Sequence, residues 1–519
     1  MIDLICVGAS AACFELRNSE PFMAPEPFEI WLDGVFQRQA QENVFSLFGL
    51  KPRTEHSLKV CMGGTSEEMV FSTNAECCAV DVRAFGAAGD GKTVDTAAIQ
   101  RAILLLPEGG RLVFPAGTYL TGPIFLKSHM TLELQADACL LGLTDKADYP
   151  VLPGCVTDVE SSRQVVTGTF EGQTKPMYAS LITAEYCEDI AIVGPGCIDG
   201  NAANGTWWQT FRTDPVARPR LCFFNHCKQV CVHGIQVRNS ASWQLHPYEC
   251  DQIAFYDVSV SAPKDSPNTD ALDPESCDDV RIIGCRFSVG DDYIAIKSGK
   301  LDASGRAMRP ASRHTIRNCL MAFGHGAVVL GSEISGGVRD LTVSQCLFRE
   351  TDRGLRIKTR RGRGEGCFID DVVFENIRME RVLTPVVINM FYRCVDPDGD
   401  SDYVQSREKL PVDARTPHLG RFTFRNMTCT DTEVAGCYAE GLPERPLDAV
   451  TLENVRIAYS KDAKPGVPAM FTNSPAVCRM GLYFRSVRQV VLRNVVLEGV
   501  DGERVITENV DSVTCDGLA

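Results

Sequence analysis

Two acidic motifs contain the residues of this sequence that could do acid–base chemistry. Asn268-Thr269-Asp270 and Gly290-Asp291-Asp292 follow one another at about the spacing of a structural repeat, so a repeating fold would bring three carboxyl groups together. When two carboxyl groups lie a few ångströms apart, the proton affinity of one is raised while its neighbour stays ionised. Hydrolysis of a glycosidic bond uses such a pair, because a carboxylic acid protonates the leaving oxygen and a carboxylate activates water.

The second motif needs a bend in the backbone. Adjacent residues of a strand point to opposite faces, so Asp291 and Asp292 can share a cleft only where the strand is interrupted. Gly290, directly before them, makes such a bend possible.

A histidine and a basic run follow the aspartates. Gly324-His325-Gly326 comes first, and Arg356-Ile357-Lys358 lies within the run 353–363. The chain has a formal net charge of −15, so a local run of cations indicates a site for an anionic ligand. We expect the later arginines of the run to form a solvated face instead: Arg360, Arg361 and Arg363.

Two further residues are candidate substrate contacts. The segment Trp243–Pro247 lies one predicted repeat before Asp270, where His246 is placed beside the ligand. Lys297 begins a second basic edge, which also includes three residues after it: Lys300, Arg306 and Arg309.

Composition excludes several classes of function. The negative charge would repel nucleic acid at long range, and no stretch resembles a membrane span. The 23 cysteines are scattered singly, so we expect mostly buried thiols. Arg and Lys, rather than further oxygen or imidazole ligands, accompany the aspartates, so we expect no metal and no other cofactor. Residues 1–14 contain Asp3 and no basic segment, unlike a signal peptide, so we expect a cytoplasmic protein; a periplasmic or secreted location stays the alternative if an export signal has been removed.

One sequence pattern recurs through most of the chain. A polar turn precedes a short alternating strand, then Asn or Cys, then another short strand, as at Cys227, Cys250 and Cys277. The step is roughly 25 residues, which fits one coil of a right-handed parallel β-helix. Because stacked coils lie about 4.8 Å apart, residues one period apart become neighbours. We expect the recurrent Cys and Asn to form internal stacks.

The fold class predicted is therefore all-β, with two domains. Residues 1–77 alternate in short runs separated by Pro and Gly, which predicts a small β-sandwich; the run Leu50–His56 resembles the fibronectin type III pattern. Residues 78–519 form the β-helix. The amphipathic segment Asp95–Leu106 predicts a helix that caps its open end.

The four motifs, in this order within a β-helical pattern, resemble the polygalacturonases of glycoside hydrolase family 28. The resemblance implies that Asp291 is the general acid, and that Asp270 and Asp292 hold and deprotonate the water, with inversion at the anomeric carbon. It implies that His325 supports the acid and the sugar hydroxyls. It also implies that the substrate is held by Asn268 and by the two cations that grip the galacturonate carboxylate, Arg356 and Lys358.

The mode of attack depends on loops. The interruptions 143–178 and 391–420 are too long for tight turns, and long ordered loops commonly serve a site. The fibronectin-like domain also resembles that of bacterial exo-acting members, so we expect an enzyme that trims oligogalacturonides from one end. Three alternatives stay open: a hydrolase of rhamnogalacturonan or another pectic glycoside, a calcium-dependent pectate lyase, and a carbohydrate-binding solenoid without activity. The sequence makes no prediction of oligomeric state.

Overall fold

A parallel β-helix forms most of the molecule, as the sequence predicts. The structure is a computed structural model that describes residues 1–162, 164–302, 304–393 and 397–519. Its main sheet has 29 strands, and nearly all neighbouring strands are parallel and belong to successive coils. The predicted all-β class is confirmed.

The N-terminal segment folds as two small antiparallel sheets. The strands are β1 (Ile2–Val7), β2 (Ala11–Leu16), β3 (Met23–Leu32), β4 (Val35–Glu42), β5 (Val44–Phe48), β6 (Glu55–Met62) and β7 (Thr65–Ser72). The sheet orders are β1-β2-β5 and β4-β3-β6-β7, which is the arrangement of a fibronectin type III sandwich. A core that includes Phe14, Phe28 and Phe45 lies between them.

Each coil of the solenoid contributes strands to three faces. The first face comprises Ala79–Asp81, Gly110–Phe114, Met130–Leu134, Glu188–Val193, Lys228–His233, Asp251–Tyr256, Asp278–Ile283, Ala311–Arg317 and Val338–Ser344. The second comprises Asp90–Val94, Gly117–Thr121, Ala138–Gly142, Cys197–Asp199, Gln236–Arg238, Ser259–Ser261, Arg286–Ser288, Leu320–Ala322 and Leu347–Arg349. The third comprises Ile124–Phe125, Ile182–Glu185, Cys222–Asn225, Leu245–Tyr248, Ile294–Ile296, Gly326–Gly331, Arg353–Lys358, Thr384–Asn389 and Ala435–Glu440.

Toward the C-terminus the strands lengthen and join the faces. These strands are Phe368–Glu380, Arg421–Thr432, Leu447–Tyr459, Met480–Glu498 and Val505–Leu518, and the short strand His418–Leu419 pairs with the first of them. Short strands in the loop over the third face are Val151–Leu152, Cys155–Thr157, Gln164–Val166, Thr169–Phe170, Gln173–Thr174 and Met177–Tyr178.

Helices are few and short. The first α-helix, α1 (Thr96–Leu105), closes the N-terminal end of the solenoid and buries Ala98, Ile99, Ala102 and Ile103 against its core, as the amphipathic pattern predicts. The second is α2 (Asp402–Gln405), and the 3₁₀ helices are Val82–Phe85, Lys146–Asp148, Ala202–Asn204 and Pro397–Asp400. Across the described ranges, the longest helix is too short, and none is apolar enough, to span a membrane.

The recurrent Cys and Asn residues behave differently. Cys227, Cys250 and Cys277 are buried and stack on successive coils, where the backbone N–H of Cys227 donates to the sulfur of Cys250 and that of Cys250 to the sulfur of Cys277. The asparagine stack lies at the surface instead, with hydrogen bonds running along Asn376, Asn426, Asn454 and Asn494. The expectation of internal asparagines is wrong, because these residues occupy left-handed corner positions whose side chains point outward.

The sandwich packs on the corner between the first and second faces. Val44 fills the space above Gly284, where a Cβ atom would lie 2.4 Å from Val44 Cγ1. Glu15 is buried and accepts hydrogen bonds from Arg317 and Asn318 at 2.6 and 2.7 Å. Close packing and buried polar contacts therefore fix this segment to the solenoid. The sandwich strands end at Ser72 and the solenoid begins at Ala79, on either side of the boundary predicted at 77/78.

Candidate active site

The third face brings the predicted motifs together. Backbone pairing places Leu272 beside Ile294 on the next coil. Asp270 and Asp292 each lie two residues before these positions, so they occupy equivalent places on neighbouring coils. The N–H of Ala271 donates to the carbonyl oxygen of Asp292 at 3.1 Å, which confirms this alignment.

The three carboxyl groups form one cluster. Asp270, Asp291 and Asp292 each place one oxygen within 4.8 Å of the others. Asp291 and Asp292 lie in the bend between Arg286–Ser288 and Ile294–Ile296, so their alternation along a strand is interrupted as predicted. Gly290 permits the bend, because a Cβ atom there would lie 2.5 Å from the carbonyl oxygen of Ser266.

Asp292 is held ionised by two cations. Lys358 Nζ lies 2.6 Å from Asp292 Oδ2, and Arg356 Nη1 lies 3.3 Å from Asp292 Oδ1. Burial by itself would raise the pKa of Asp292, but the two cations hold it well below the ordinary value. Asp292 is therefore a carboxylate that can accept a proton.

Asp270 is in a different environment. It is buried, and its Oδ1 has no hydrogen-bond partner among the described residues. Burial and then the negative charges of Asp291 and Asp273 raise the pKa of Asp270 well above its ordinary value, while Lys297 opposes them. An oxygen without a protein partner inside this cluster is suited to hold a water molecule.

His325 lies beside the most accessible of the three aspartates. Its Nδ1 is 3.6 Å from Asp291 Oδ1, and its side chain is about half exposed. Interaction with Asp291 raises the pKa of His325 despite the opposing effect of burial, so the imidazole is protonated over a wider pH range. His325 therefore lies close enough to interact with Asp291, and the supporting role assigned to it stays a prediction.

Asn268 is fixed by an arginine that the sequence analysis missed. Arg218 donates to Asn268 Oδ1 at 2.7 Å and to the carbonyl oxygens of Ala241 and Pro267 at 2.8 and 2.9 Å. Asn268 lines the cavity beside the aspartates, and the substrate contact assigned to it stays a prediction.

Lys297 lies at the edge of the cavity within a buried network of charges. Its Nζ is 3.4 Å from Asp273 Oδ1, 3.3 Å from Glu333 Oε2 and 4.5 Å from the centre of the Trp243 ring. Lys297 is 4% exposed, and the surrounding carboxylates hold its pKa well above the ordinary value although burial opposes them. It balances the negative charge beneath the aspartates; its contact with substrate stays a prediction.

His246 is not a substrate contact. Its side chain is 0% exposed, with Nε2 3.1 Å from Glu275 Oε2, and the ring of Trp243 packs edge-on against it at 5.0 Å. Burial lowers the pKa of His246 well below the ordinary value, so the imidazole is neutral. The expectation was wrong because Trp243 and its neighbours cover the strand at this coil.

The basic run 353–363 does not end in a solvated face. Arg360, Arg361 and Arg363 are all buried, and all three line the cavity. Arg361 makes a bidentate pair with Glu444 at 2.7 and 3.0 Å. It also donates to four backbone carbonyl oxygens, two within α2 and two in the loop that follows: Tyr403, Val404, Ser406 and Glu408. Loops that the linear pattern does not reveal cover these arginines.

The aspartates open into a cavity of about 1310 Å³, large for a small-molecule site and sufficient for more than one sugar. Both long interruptions line it, as predicted. The first contributes Phe170, Glu171 and Gln173, and the second contributes Tyr392 and Tyr403.

Several charged residues of the site escaped sequence analysis. Asp273 and Glu275 alternate with Leu272 and Pro274 in the segment after Asp270, and this alternation was the available signal. Burial raises the pKa of Asp273 to about 7 and that of Glu275 to about 8. No local pattern marks the others, which are placed by distant contacts: Glu171, Arg218, Arg220 and Glu333.

The spacing of the three aspartates also suits a small cation with oxygen ligands. Lys358 and Arg356, however, already supply the positive charge beside Asp292. The expected independence from metal stays a prediction.

Comparisons with known proteins identify the family. A family model described as "Glycosyl hydrolases family 28" matches residues 146–465, and one described as "Rhamnogalacturonase A/epimerase, pectate lyase-like" matches residues 79–133. A probable polygalacturonase of Vitis vinifera is 31% identical over 390 residues, covering 73% of this chain and 74% of the relative. An exo-poly-alpha-D-galacturonosidase of Dickeya chrysanthemi is 26% identical, covering 74% of this chain and 68% of the relative.

Solved structures share the fold. A family 28 exopolygalacturonase of Yersinia enterocolitica superposes with a TM-score of 0.69 at 21% identity, over 100% of this chain and 97% of that one. A hyperthermoactive exopolygalacturonase of Thermotoga maritima gives 0.63 at 26% identity, over 81% and 92%. Because the family model spans more than half of the chain and includes all four motifs, this protein belongs to the glycosyl hydrolases of family 28.

Proposed function

We propose that this protein hydrolyses the α-1,4-galacturonosidic bonds of polygalacturonate and its oligomers, releasing product from one end. The observation that carries the proposal is the cluster of three carboxyl groups beside Lys358 and Arg356. The carboxyls supply an acid and a base, and the cations supply a counter-charge for a uronate substrate. The names of the Vitis vinifera and Dickeya chrysanthemi relatives support the same substrate class.

In the mechanism we propose, Asp291 is the general acid. It is the most accessible of the three, and the neighbouring His325 can hold it in place and balance its charge after proton transfer. Asp292, ionised beside Lys358, takes a proton from water held with Asp270. The proton that Asp291 gives to the leaving oxygen and the one that Asp292 takes from water balance, and the C–O bond broken at the anomeric carbon is replaced by a bond to water.

We propose inversion at the anomeric carbon, as the family resemblance implies. The short separation of the carboxyl groups by itself is closer to the spacing of retaining glycosidases, about 5 Å, than to the wider spacing of inverting ones. The third carboxyl group removes this conflict, because a pair of aspartates can hold water while the other acts as acid. Proton NMR of the first product anomer tests this: the β-anomer from the α-linkage supports inversion, and the α-anomer contradicts it.

Attack from one end is supported by the shape of the cavity. Loop 143–178 lies across one side of the site and contributes Phe170, Glu171 and Gln173 to the lining. A polymer that cannot continue past this loop places only its end in the cavity. We assign the non-reducing sugar to this closed side and the rest of the chain to the side of His325.

The direct experiment is digestion of a defined oligogalacturonide ladder with products sized over time, in buffer with and without chelator. Steady release of a single short product, unaffected by chelator, supports the proposal. Random internal cuts contradict attack from the end, and an unsaturated, ultraviolet-absorbing product would indicate a lyase. Rhamnogalacturonan serves as the competing substrate.

The acid assignment has its own test. Asp291→Asn should lower kcat by at least about 10²-fold to 10⁴-fold, the usual contribution of a general acid, while leaving the unfolding transition nearly unchanged. Near-normal hydrolysis by the folded variant would refute the assignment.

The expected cytoplasmic setting stays a prediction, which cell fractionation can test.

A further inference from the structure

A β-hairpin with a two-residue turn closes one end of the cavity. Thr169–Phe170 pairs with Gln173–Thr174, and Glu171 and Gly172 form the turn between them with φ of 51° and 74°. Positive φ at both positions is typical of a type I′ turn. The tip rests directly on the solenoid, because a Cβ atom on Gly172 would lie 2.9 Å from the backbone nitrogen of Lys300.

The hairpin is held firmly at its base. Arg220, which is 1% exposed, donates to the carbonyl oxygen of Thr169 at 2.9 Å. The ring of Phe170 stacks on that of Trp243 at 6.5 Å and 21°. The hairpin is therefore a fixed end wall of the cavity.

Glu171 lines the cavity at this wall, and its side chain is exposed. A type I′ turn favours Asn, Asp or Gly at this position, so the turn itself does not call for glutamate. The charged groups around Glu171 are of both signs. Burial and Glu333 raise its pKa, and three cations oppose them: Lys300, Lys297 and Arg220.

A network of charged side chains connects this wall to the catalytic aspartates. Lys297 contacts Glu333, on which the hairpin tip rests, and also contacts Asp273 directly after the Asp270 motif. The space between Glu171 and Asp292 is part of the same continuous cavity. A sugar bound there would have its anomeric carbon at the aspartates and its opposite side, with the 4-hydroxyl, at Glu171.

We propose that Glu171 recognises the non-reducing end of the substrate by accepting a hydrogen bond from the free 4-hydroxyl of the terminal galacturonate. This inference rests on the proposed function. A sugar inside the chain has a glycosidic oxygen at that position, which has no hydrogen to donate. An interior segment of the substrate would also continue into another galacturonate, whose carboxylate the negative charge of Glu171 repels. The same side chain therefore favours an end and disfavours an interior segment.

The test compares two trimers that differ at the terminal sugar. Saturated trigalacturonate has a 4-hydroxyl at its non-reducing end, whereas the 4,5-unsaturated trimer made by a lyase has a double bond at that carbon and no hydroxyl. We expect the wild-type enzyme to prefer the saturated trimer by about 10-fold to 100-fold in kcat/KM, the range for a lost hydrogen bond to a charged group.

Glu171→Asn is the main variant because asparagine suits a type I′ turn, so the hairpin is retained while the carboxylate is removed. It should reduce the preference to less than about threefold. Glu171→Gln keeps the length and one acceptor without the charge, and should give an intermediate ratio. Thr174→Ala changes an uncharged, exposed residue of the same hairpin and should keep the wild-type ratio.

The ratio of the two trimers decides the proposal. A wild-type enzyme without preference, or a Glu171→Asn variant that keeps the full preference, would overturn it. Hydrolysis of the saturated trimer by the wild-type enzyme tests the proposed function separately, because the absence of that activity would refute the function whatever the role of Glu171.

Discussion

Removing the positive charge of Lys358 should shift the acidic limb of the pH–activity profile upward. Lys358 Nζ lies 2.6 Å from Asp292 Oδ2, and the two side chains are 11% and 1% exposed, so solvent screens the pair weakly. An opposite charge at this range lowers a carboxyl pKa by about 1 to 3, which corresponds to about 1.4 to 4 kcal/mol. Lys358→Met removes that effect, while Arg356 at 3.3 Å retains part of it.

The sign follows from the role of Asp292. A base must be ionised, so activity is lost as the pH falls through the pKa of Asp292. In the wild-type enzyme this pKa lies well below the ordinary value because of the cations, against the effect of burial. In Lys358→Met the acidic limb should therefore move up by about 1 to 3 pH units. The stability that ionised Asp292 contributes is lost as the pH falls through its folded-state pKa, so in Lys358→Met this loss should begin at a higher pH. Breaking the buried pair should by itself cost up to about 3 to 5 kcal/mol of unfolding free energy.

The assay is kcat/KM for trigalacturonate as a function of pH, with urea unfolding of the same samples. The position of the limb reports on Asp292, whereas the height of the profile also reports on lost contact with the uronate. Lys358→Arg is the control and should leave the limb near its wild-type position. A folded Lys358→Met variant with an unchanged limb would refute the argument that Lys358 sets the charge of Asp292.

Two further predictions concern the residues around this core. His325→Asn should lower kcat/KM by about tenfold and shift the limb on the alkaline side, because Asp291 and His325 hold one proton between them and the pair loses it as the pH rises through the raised pKa of His325; an unchanged alkaline limb would contradict this. Arg361→Met should destabilise the protein by about 3 to 5 kcal/mol and raise KM more than it lowers kcat, because it leaves Glu444 buried without its partner and releases the loop at Tyr403. Arg361→Lys is the control for charge; equal effects on kcat and KM would argue against a positioning role.

The sequence identified the parts of the site that depend on the repeat. Asp270, Asp291 and Asp292 could be placed together because parallel coils put residues one period apart side by side, and Gly290 marked the bend that this requires. The order of the motifs further indicated His325, Arg356 and Lys358. These inferences needed only local pattern and a repeat of known geometry.

Tertiary contacts decided what the pattern could not. His246 lies one repeat before Asp270, as a site residue would, yet Trp243 and neighbouring coils bury it. Arg361 belongs to a basic run of the kind that commonly faces solvent, yet two loops enclose it. Glu171 lies far from the motifs in sequence and reaches the cavity only because its hairpin rests on Lys300.

One physical reason explains why the sequence determines some of these features and tertiary packing determines the others. A repeat fixes which backbone positions are neighbours, and so the sequence alone determined the solenoid and the catalytic cluster on its third face. Burial and charge balance depend on which distant loop covers a position, and that is set by packing between segments with no common period. Only the folded chain therefore decided that His246 and Arg361 are buried and that Glu171 closes the end of the cavity.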